Sequence, residues 1–359
     1  MRRIALLAVM AVLFIGMVSC SYTPSIVDAN GYVVPGSITE MVPVTLGGFD
    51  QWLVIRGVDR TNPVLLFIHG GPGVPETPLF HSVCSDLQEH FVVVTWDQRG
   101  TGLSYSKDVP VESMNVEQFI TDAHELVGYL KERFGAEKIY IVGHSWGSVL
   151  GMHLIDRYPE DFYAYVGIGQ VVHTYENERI SYEYTYSRAV EEGNKKAIRE
   201  LEEIGPPVNG VYGDDPSDLD GLMTERKWLL KYNGVMHEKS SHLDYYFKYI
   251  LSPEYSVFDA VNVLRGVNFS LGKMWNQVLQ VDFFTEIPEV EVPVYFFTGR
   301  YDYNTPFELV VEYYEFLEAP QKELVWFENS GHNINNEEPE RFTRMMVEKV
   351  LAETYPRFP

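Results

Sequence analysis

The sequence predicts an α/β domain built on a mostly parallel eight-stranded sheet flanked by helices, with a helical cap inserted between the sixth and seventh strands. Three observations predict it. Short apolar runs bounded by turn residues alternate with helix-like stretches from Ile38 onward, the pattern of strands covered on both faces. Gly143-His144-Ser145-Trp146-Gly147 stands between such a strand and such a helix. A stretch of over a hundred residues, rich in Glu and Tyr, separates the sixth strand from the seventh, too long for a loop in a compact domain.

The chain begins with Arg2 and Arg3, an apolar run from Ile4 to Val18, and Ser19-Cys20. That order of charged, apolar and small residues reads as an export signal over residues 1–20. Met17-Val18-Ser19-Cys20 resembles a bacterial lipobox, in which Cys20 would carry lipid; a plain cleaved signal or an uncleaved anchor is the alternative. The expected location is exported, either as a membrane-anchored lipoprotein or as a periplasmic or secreted protein. Residues 21–37, rich in Pro, Ser and Gly, read as an extended tether.

The strands are expected at Ile38–Thr45, Trp52–Arg56, Pro63–Ile68, Phe91–Trp96, Lys138–Val142, Tyr163–Gly169, Val292–Thr298 and Leu324–Phe327. Between the fourth and fifth, Phe119, Ile120, Ala123, Leu126, Val127, Leu130 and Phe134 share one helical face, and Gly135 can end the helix. A helix is also expected over Ser148–Tyr158. The domain divides into a first core part at 38–170, a cap at 171–290 and a second core part at 291–359. Within the cap, one helix is expected over Arg188–Glu203, ended by Gly205-Pro206-Pro207.

With 359 residues and 45% hydrophobic content the chain can bury a full core. Cys84 is the one cysteine besides Cys20, so no disulfide framework is expected within the domain. The net charge is −23, or −25 once Arg2 and Arg3 leave with a signal. A surface so acidic repels nucleic acid and anionic lipid. It suits cationic substrates such as peptides with a free amine, or it serves solubility alone.

The chemistry centres on Ser145, whose strand–turn–helix setting is that of a nucleophile elbow. A serine hydroxyl needs a positioned base. His332, in Ser330-Gly331-His332-Asn333 after the last strand, is placed to supply one. Asp302, after the seventh strand, is placed to orient that imidazole, and the order Ser, Asp, His fits. Asp97 also follows a strand, but its neighbours Gln98 to Gly102 read as a turn held by internal hydrogen bonds, so it is taken as structural. His69 reads as support for a glycine loop, His144 as part of the elbow, and His124 and His153 as helix residues. His69-Gly70-Gly71-Pro72-Gly73 follows the third strand and suits an oxyanion hole, with the amides of Gly71 and Trp146 as donors. No metal-site spacing and no phosphate-loop ending occurs, so the mechanism is expected to need neither metal nor cofactor.

Together His69–Gly73, Trp96-Asp97-Gln98-Arg99-Gly100-Thr101-Gly102-Leu103-Ser104 and Gly143–Ser148 resemble the proline iminopeptidase branch of the α/β-hydrolase superfamily. The resemblance covers about 38–170 and 291–355, and departs at His144, where many members carry Gly. It implies the α/β-hydrolase fold and an exopeptidase that releases N-terminal proline or another apolar residue through an acyl-enzyme. It also implies that cap glutamates hold the substrate ammonium, with Glu176, Glu178 and Glu183 as candidates; a solvated helix face is the competing reading of the same residues. An esterase, lactonase or amide hydrolase on small molecules would use the same triad, and a non-catalytic surface binding module would keep only the fold. The expected partners are a small peptide or carbonyl substrate and, through the N-terminus alone, a membrane.

Overall fold

The computed structural model describes residues 21–215, 218–238 and 243–356. The signal and lipobox expected at residues 1–20 therefore lie outside the described residues. One sheet of eight strands carries the fold: β1 (Ile38–Leu46), β2 (Phe49–Gly57), β3 (Val64–Ile68), β4 (Val92–Asp97), β5 (Ile139–His144), β6 (Phe162–Ile168), β7 (Val294–Gly299) and β8 (Lys322–Phe327). Their order is β1-β2-β4-β3-β5-β6-β7-β8. β1 and β2 pair antiparallel, as do β2 and β4, and every later pair is parallel. Each strand falls within three residues of its expected position, and the longest extension, β2, lies in the Gly47-Gly48 hairpin with β1.

Side chains alternate across the sheet, so strands β3 to β7 feed two cores. Leu66, Val94, Ile141 and Phe296 face the layer holding α2 (Val116–Phe134) and α3 (Trp146–Arg157), while Leu65, Val93, Val142 and Phe297 face α1 (Thr77–Val83) and the C-terminal Phe342 and Met346. α2 starts at Asn115, whose side chain accepts from the Gln118 amide, and ends at Gly135 with φ 62°.

Between β6 and β7 lie α4 (Thr174–Glu191), α5 (Lys195–Ile204), α6 (Asp220–Lys231), α7 (Leu243–Leu251), α8 (Val257–Val278) and α9 (Phe283–Glu286). The single helix expected over Arg188–Glu203 is two. Gly193, at φ 62°, stops α4, and Asn194 caps α5 by accepting from the Ala197 amide at 3.1 Å. A left-handed glycine followed by an N-cap asparagine ends one helix and begins another.

Residues 21–37, read as an extended tether, are held on the surface. Ser21 Oγ donates to Asp259 at 3.0 Å, the Tyr22 amide donates to the Pro253 carbonyl at 2.9 Å, and Thr23 Oγ1 donates to Glu254 at 3.2 Å. α10 (Phe307–Phe316) follows β7 and helps cover the sheet.

Candidate active site

The parallel strands end on one edge of the sheet, under the cap, where open α/β sheets carry their ligand crevices. The loops after β3, β5, β7 and β8 meet there. Ser145 follows β5 with φ 54° and ψ −120°, a backbone state that L side chains rarely adopt. Its amide donates to the Ile168 carbonyl at 2.9 Å, and its own carbonyl accepts from the Ser148 amide at 2.8 Å and from Ser148 Oγ at 2.6 Å. The flanking glycines leave space for this turn. A Cβ on Gly143 would stand 2.5 Å from the Gly147 carbonyl oxygen, and one on Gly147 would overlap the Ile68 carbonyl. The Ser145 side chain is half-buried at the meeting of two cavities.

His332 is held from four sides. Its amide donates to the carbonyl of Val235, a cap residue, at 2.7 Å. Nδ1 lies 2.9 Å from Asp302 Oδ2 and 3.1 Å from Thr305 Oγ1, and Asn304 Nδ2 lies 3.2 Å from Nε2. An amide donor at Nε2 and a carboxylate at Nδ1 select the tautomer with its proton on Nδ1, which makes Nε2 the acceptor of the ring. Asp302 is buried, and its other oxygen accepts from the amides of Asn304 and Thr305, both at 2.9 Å. Behind the ring lies Gly169, with φ 51°, where a Cβ would stand 2.5 Å from His332 Cε1.

The glycine loop after β3 is tied to the elbow through Gln98. The Gln98 amide donates to His69 Nε2 at 3.2 Å, so His69 carries its proton on Nδ1 and donates to the Gly70 carbonyl at 2.8 Å. Burial lowers the His69 pKa to about 4 and keeps the ring neutral. Gln98 also accepts from the Trp146 indole at 2.9 Å and donates to the His69 carbonyl at 3.0 Å. The Gly70 amide is spent on Glu76 Oε1 at 3.0 Å. Gly71 and Trp146, the two expected oxyanion donors, line the same cavity as Ser145.

Asp97 is buried among donors: Thr77 Oγ1 at 3.0 Å, the Leu103 amide at 2.8 Å and the Tyr255 hydroxyl. Burial raises its pKa to about 6, against the pull of those donors.

The first cavity, of about 330 Å³, runs from Gly71, Ser145 and Trp146 toward Glu178 and Arg226 of the cap. The second, of about 470 Å³, is lined by Glu76, His144, Ser145 and His332 with apolar side chains of α1, α7 and α8. Of the three expected cap glutamates, Glu178 alone lines either cavity. Glu176 and Glu183 are corrected: both lie on the exposed face of α4 and pair with Arg179, at 2.8 and 2.7 Å. Glu178 is buried, and its carboxylate is engaged by Arg226, by Asn177 Nδ2 at 3.3 Å and by Tyr212 at 3.2 Å. Arg226 also pairs with the buried Glu225. Sequence reasoning missed Asn304, Gly169, Val235 and the pairing of His144 with Glu76. Asn304 and Gly169 were visible as neighbours of named positions, whereas the other two depend on chain segments that meet only in the fold.

A family model described as alpha/beta hydrolase fold matches residues 63–199. A Bacillus subtilis (strain 168) protein named "Probable aminopeptidase YbaC" is 35% identical over 312 residues, spanning 86% of this chain and 96% of that protein. A proline iminopeptidase of Elizabethkingia meningoseptica is 28% identical over 127 residues, 34% of this chain and 40% of that one. Among solved structures, a proline iminopeptidase of Mycobacterium smegmatis superposes with a TM-score of 0.61 at 16% identity, covering 87% of this chain and 97% of its own. A proline iminopeptidase-related protein of Thermus thermophilus gives 0.60 at 19% identity, covering 89% and 99%.

Proposed function

The chain belongs to the α/β-hydrolase family, and from that premise we propose that it is a serine hydrolase, an aminopeptidase releasing N-terminal proline or a small apolar residue from peptides. The observation that carries the reading is Ser145 on its strained turn at the mouth of two cavities, one of them also lined by a His332 whose Nδ1 is held by Asp302 at 2.9 Å. In this mechanism Ser145 Oγ attacks the carbonyl carbon as its proton passes to His332 Nε2. The carbonyl oxygen becomes an anion held by the Gly71 and Trp146 amides, each donor of this kind contributing about 3–4 kcal/mol to the transition state. The intermediate collapses as His332 protonates the leaving amine; water then attacks the acyl-enzyme carbonyl with His332 again as base, and the second intermediate breaks its bond to Ser145 Oγ, which takes the proton back from His332 as the amino acid leaves. The carboxylate of Asp302 stabilises the imidazolium that forms in each half.

A relative named as an aminopeptidase supports the peptide substrate. The competing reading, an esterase or small-amide hydrolase, is favoured by Glu178, whose oxygens are already committed to Arg226, Asn177 and Tyr212. Hydrolysis of proline β-naphthylamide against its N-acetylated counterpart decides between them. The aminopeptidase cleaves the free-amine substrate at least tenfold faster; equal rates on both would sink the assignment.

The reading extends to location: export, with the N-terminus holding the protein at a membrane. Ser21 and Tyr22 are fixed to Asp259 and Pro253, beside Leu251 and Phe258, which are 77% and 72% exposed. Acyl labelling of the wild type and of Cys20→Ala tests the lipid anchor, and an unlabelled wild type removes it.

A further inference from the structure

The two cavities differ in the state of their acidic groups. In the first, Glu178 Oε1 meets Arg226 and Asn177, and Oε2 meets Tyr212. In the second, Glu76 is 3% exposed, and its Oε1 accepts from the Gly70 amide at 3.0 Å and from His144 Nδ1 at 2.6 Å. Its Oε2 is buried with no hydrogen-bond partner among the described residues. A buried carboxylate oxygen left without a donor is costly, and native proteins rarely tolerate it. Glu76 lines the cavity that also holds the nucleophile, and its unpartnered oxygen is the one still open to a donor.

We propose that Glu76 Oε2 receives the α-ammonium of the substrate's N-terminal residue, whose carbonyl lies at Ser145; this rests on the aminopeptidase reading above. The spacing is right for it. In an N-terminal residue one carbon separates the ammonium nitrogen from the carbonyl carbon, so the receptor must lie close to the nucleophile. A Cβ on Gly70 would stand 3.1 Å from Ser145 Cβ and 3.4 Å from Glu76 Oε1, which makes the two side chains near neighbours across that glycine.

The charges agree. His144 Nδ1 faces Glu76 and Nε2 faces the His332 carbonyl at 3.0 Å, both acceptors, so the ring donates twice and is an imidazolium. Burial pushes Glu76 up, but the charge and hydrogen bond of His144 more than offset it and hold the carboxyl ionised. The pair is neutral, the buried Asp302 carboxylate behind His332 adds one negative charge to the site, and an arriving ammonium offsets it. Leu79, Tyr249, Val263, Leu264 and Val267 line the same cavity. This cavity therefore takes the N-terminal residue itself, an apolar one with a free amine, and the first cavity takes the leaving peptide.

The test compares wild type, Glu76→Gln and Glu178→Gln on alanine p-nitroanilide and its N-acetylated counterpart. The readout is the ratio of kcat/KM for the free and blocked substrates. Glu76→Gln is expected to lower that ratio ten- to a hundredfold, the worth of one hydrogen bond to a charged group, and Glu178→Gln to change it less than threefold. A collapse of the ratio in Glu178→Gln with retention in Glu76→Gln overturns the proposal and leaves the aminopeptidase standing. A parallel loss on both substrates in Glu76→Gln also overturns it, because a purely structural role would act that way. A wild-type ratio near one removes the aminopeptidase reading itself. Should Glu76→Gln fail to fold, a crystal structure of Ser145→Ala with alaninamide reads the same claim. The ammonium nitrogen is expected within about 3.2 Å of Glu76 Oε2, and its placement on Glu178 or elsewhere overturns the assignment.

Discussion

Replacing Gly169 by alanine tests the placement of the imidazole without touching any polar atom of the site. The new methyl carbon would stand 2.5 Å from His332 Cε1 and 2.6 Å from Nδ1, against about 3.5–4.0 Å for carbon atoms in comfortable contact. The ring must therefore retreat by roughly 1 Å, or the β6 turn must open. The ring is the softer element, because the Ser145 amide donates to Ile168, the residue just before this turn, at 2.9 Å and pins the backbone there. A shift of roughly 1 Å in a catalytic group costs about a hundredfold in rate, and complete loss of the base would cost more. Alanine at φ 51° adds about 1 kcal/mol of backbone strain, a fall of a few degrees in Tm for a domain of this size. The assay is kcat/KM on p-nitrophenyl acetate with Tm measured alongside. A loss of about a hundredfold with a drop of only a few degrees supports the geometry. Wild-type kcat/KM in a protein of wild-type Tm would refute it, because the His332 ring could not then be where catalysis needs it.

Two further perturbations act on single carboxylates. Asp302→Asn puts an amide beside Nδ1 and favours the wrong imidazole tautomer, so kcat falls by about 10⁴ in a folded protein; a loss below tenfold would remove Asp302 from the triad. Asp97, raised by burial from 3.8 to about 6, is protonated in the folded chain and ionised in the unfolded chain between those values. Its protonated form thus favours folding at low pH, and that advantage fades as pH rises through about 6. Relative to Asp97→Asn, the wild type loses on the order of 3 kcal/mol between pH 4 and 7.5, at about 1.4 kcal/mol per pKa unit. Urea unfolding of both proteins at the two pH values checks it, and a constant difference would contradict it.

Much of the scaffold was legible because its signals are local. Apolar runs such as Val64–Ile68 and Ile139–Val142 read as strands, and the glycines around Ser145 read as a sharp turn. Strand ends then placed Asp302 and His332 on loops after β7 and β8. The cap was harder. Glu176, Arg179 and Glu183 are spaced as i, i+3 and i+7, so they share one outer face of α4. Glu178 is two residues from Glu176, which on a helix turns it about 200° away and buries it. That phase was readable, yet which face met the core was set by distant partners: Arg226, 48 residues from Glu178, and Tyr303, 122 residues from the Ser181 whose hydroxyl donates to its carbonyl. The same limit hid the pairing of Glu76 with His144, which are 68 residues apart in sequence. Neither residue carries a spacing that names the other, and only the approach of the glycine loop to the elbow brings them together.

The central claim is that the Ser145 hydroxyl, primed by His332, is the attacking group. Peptide mass mapping after treatment with a fluorophosphonate tests it most directly. One phosphonyl adduct is expected, on Ser145, absent from Ser145→Ala and formed at least a hundredfold more slowly in His332→Ala. An unmodified wild type, or an adduct on another residue that survives Ser145→Ala, would contradict it.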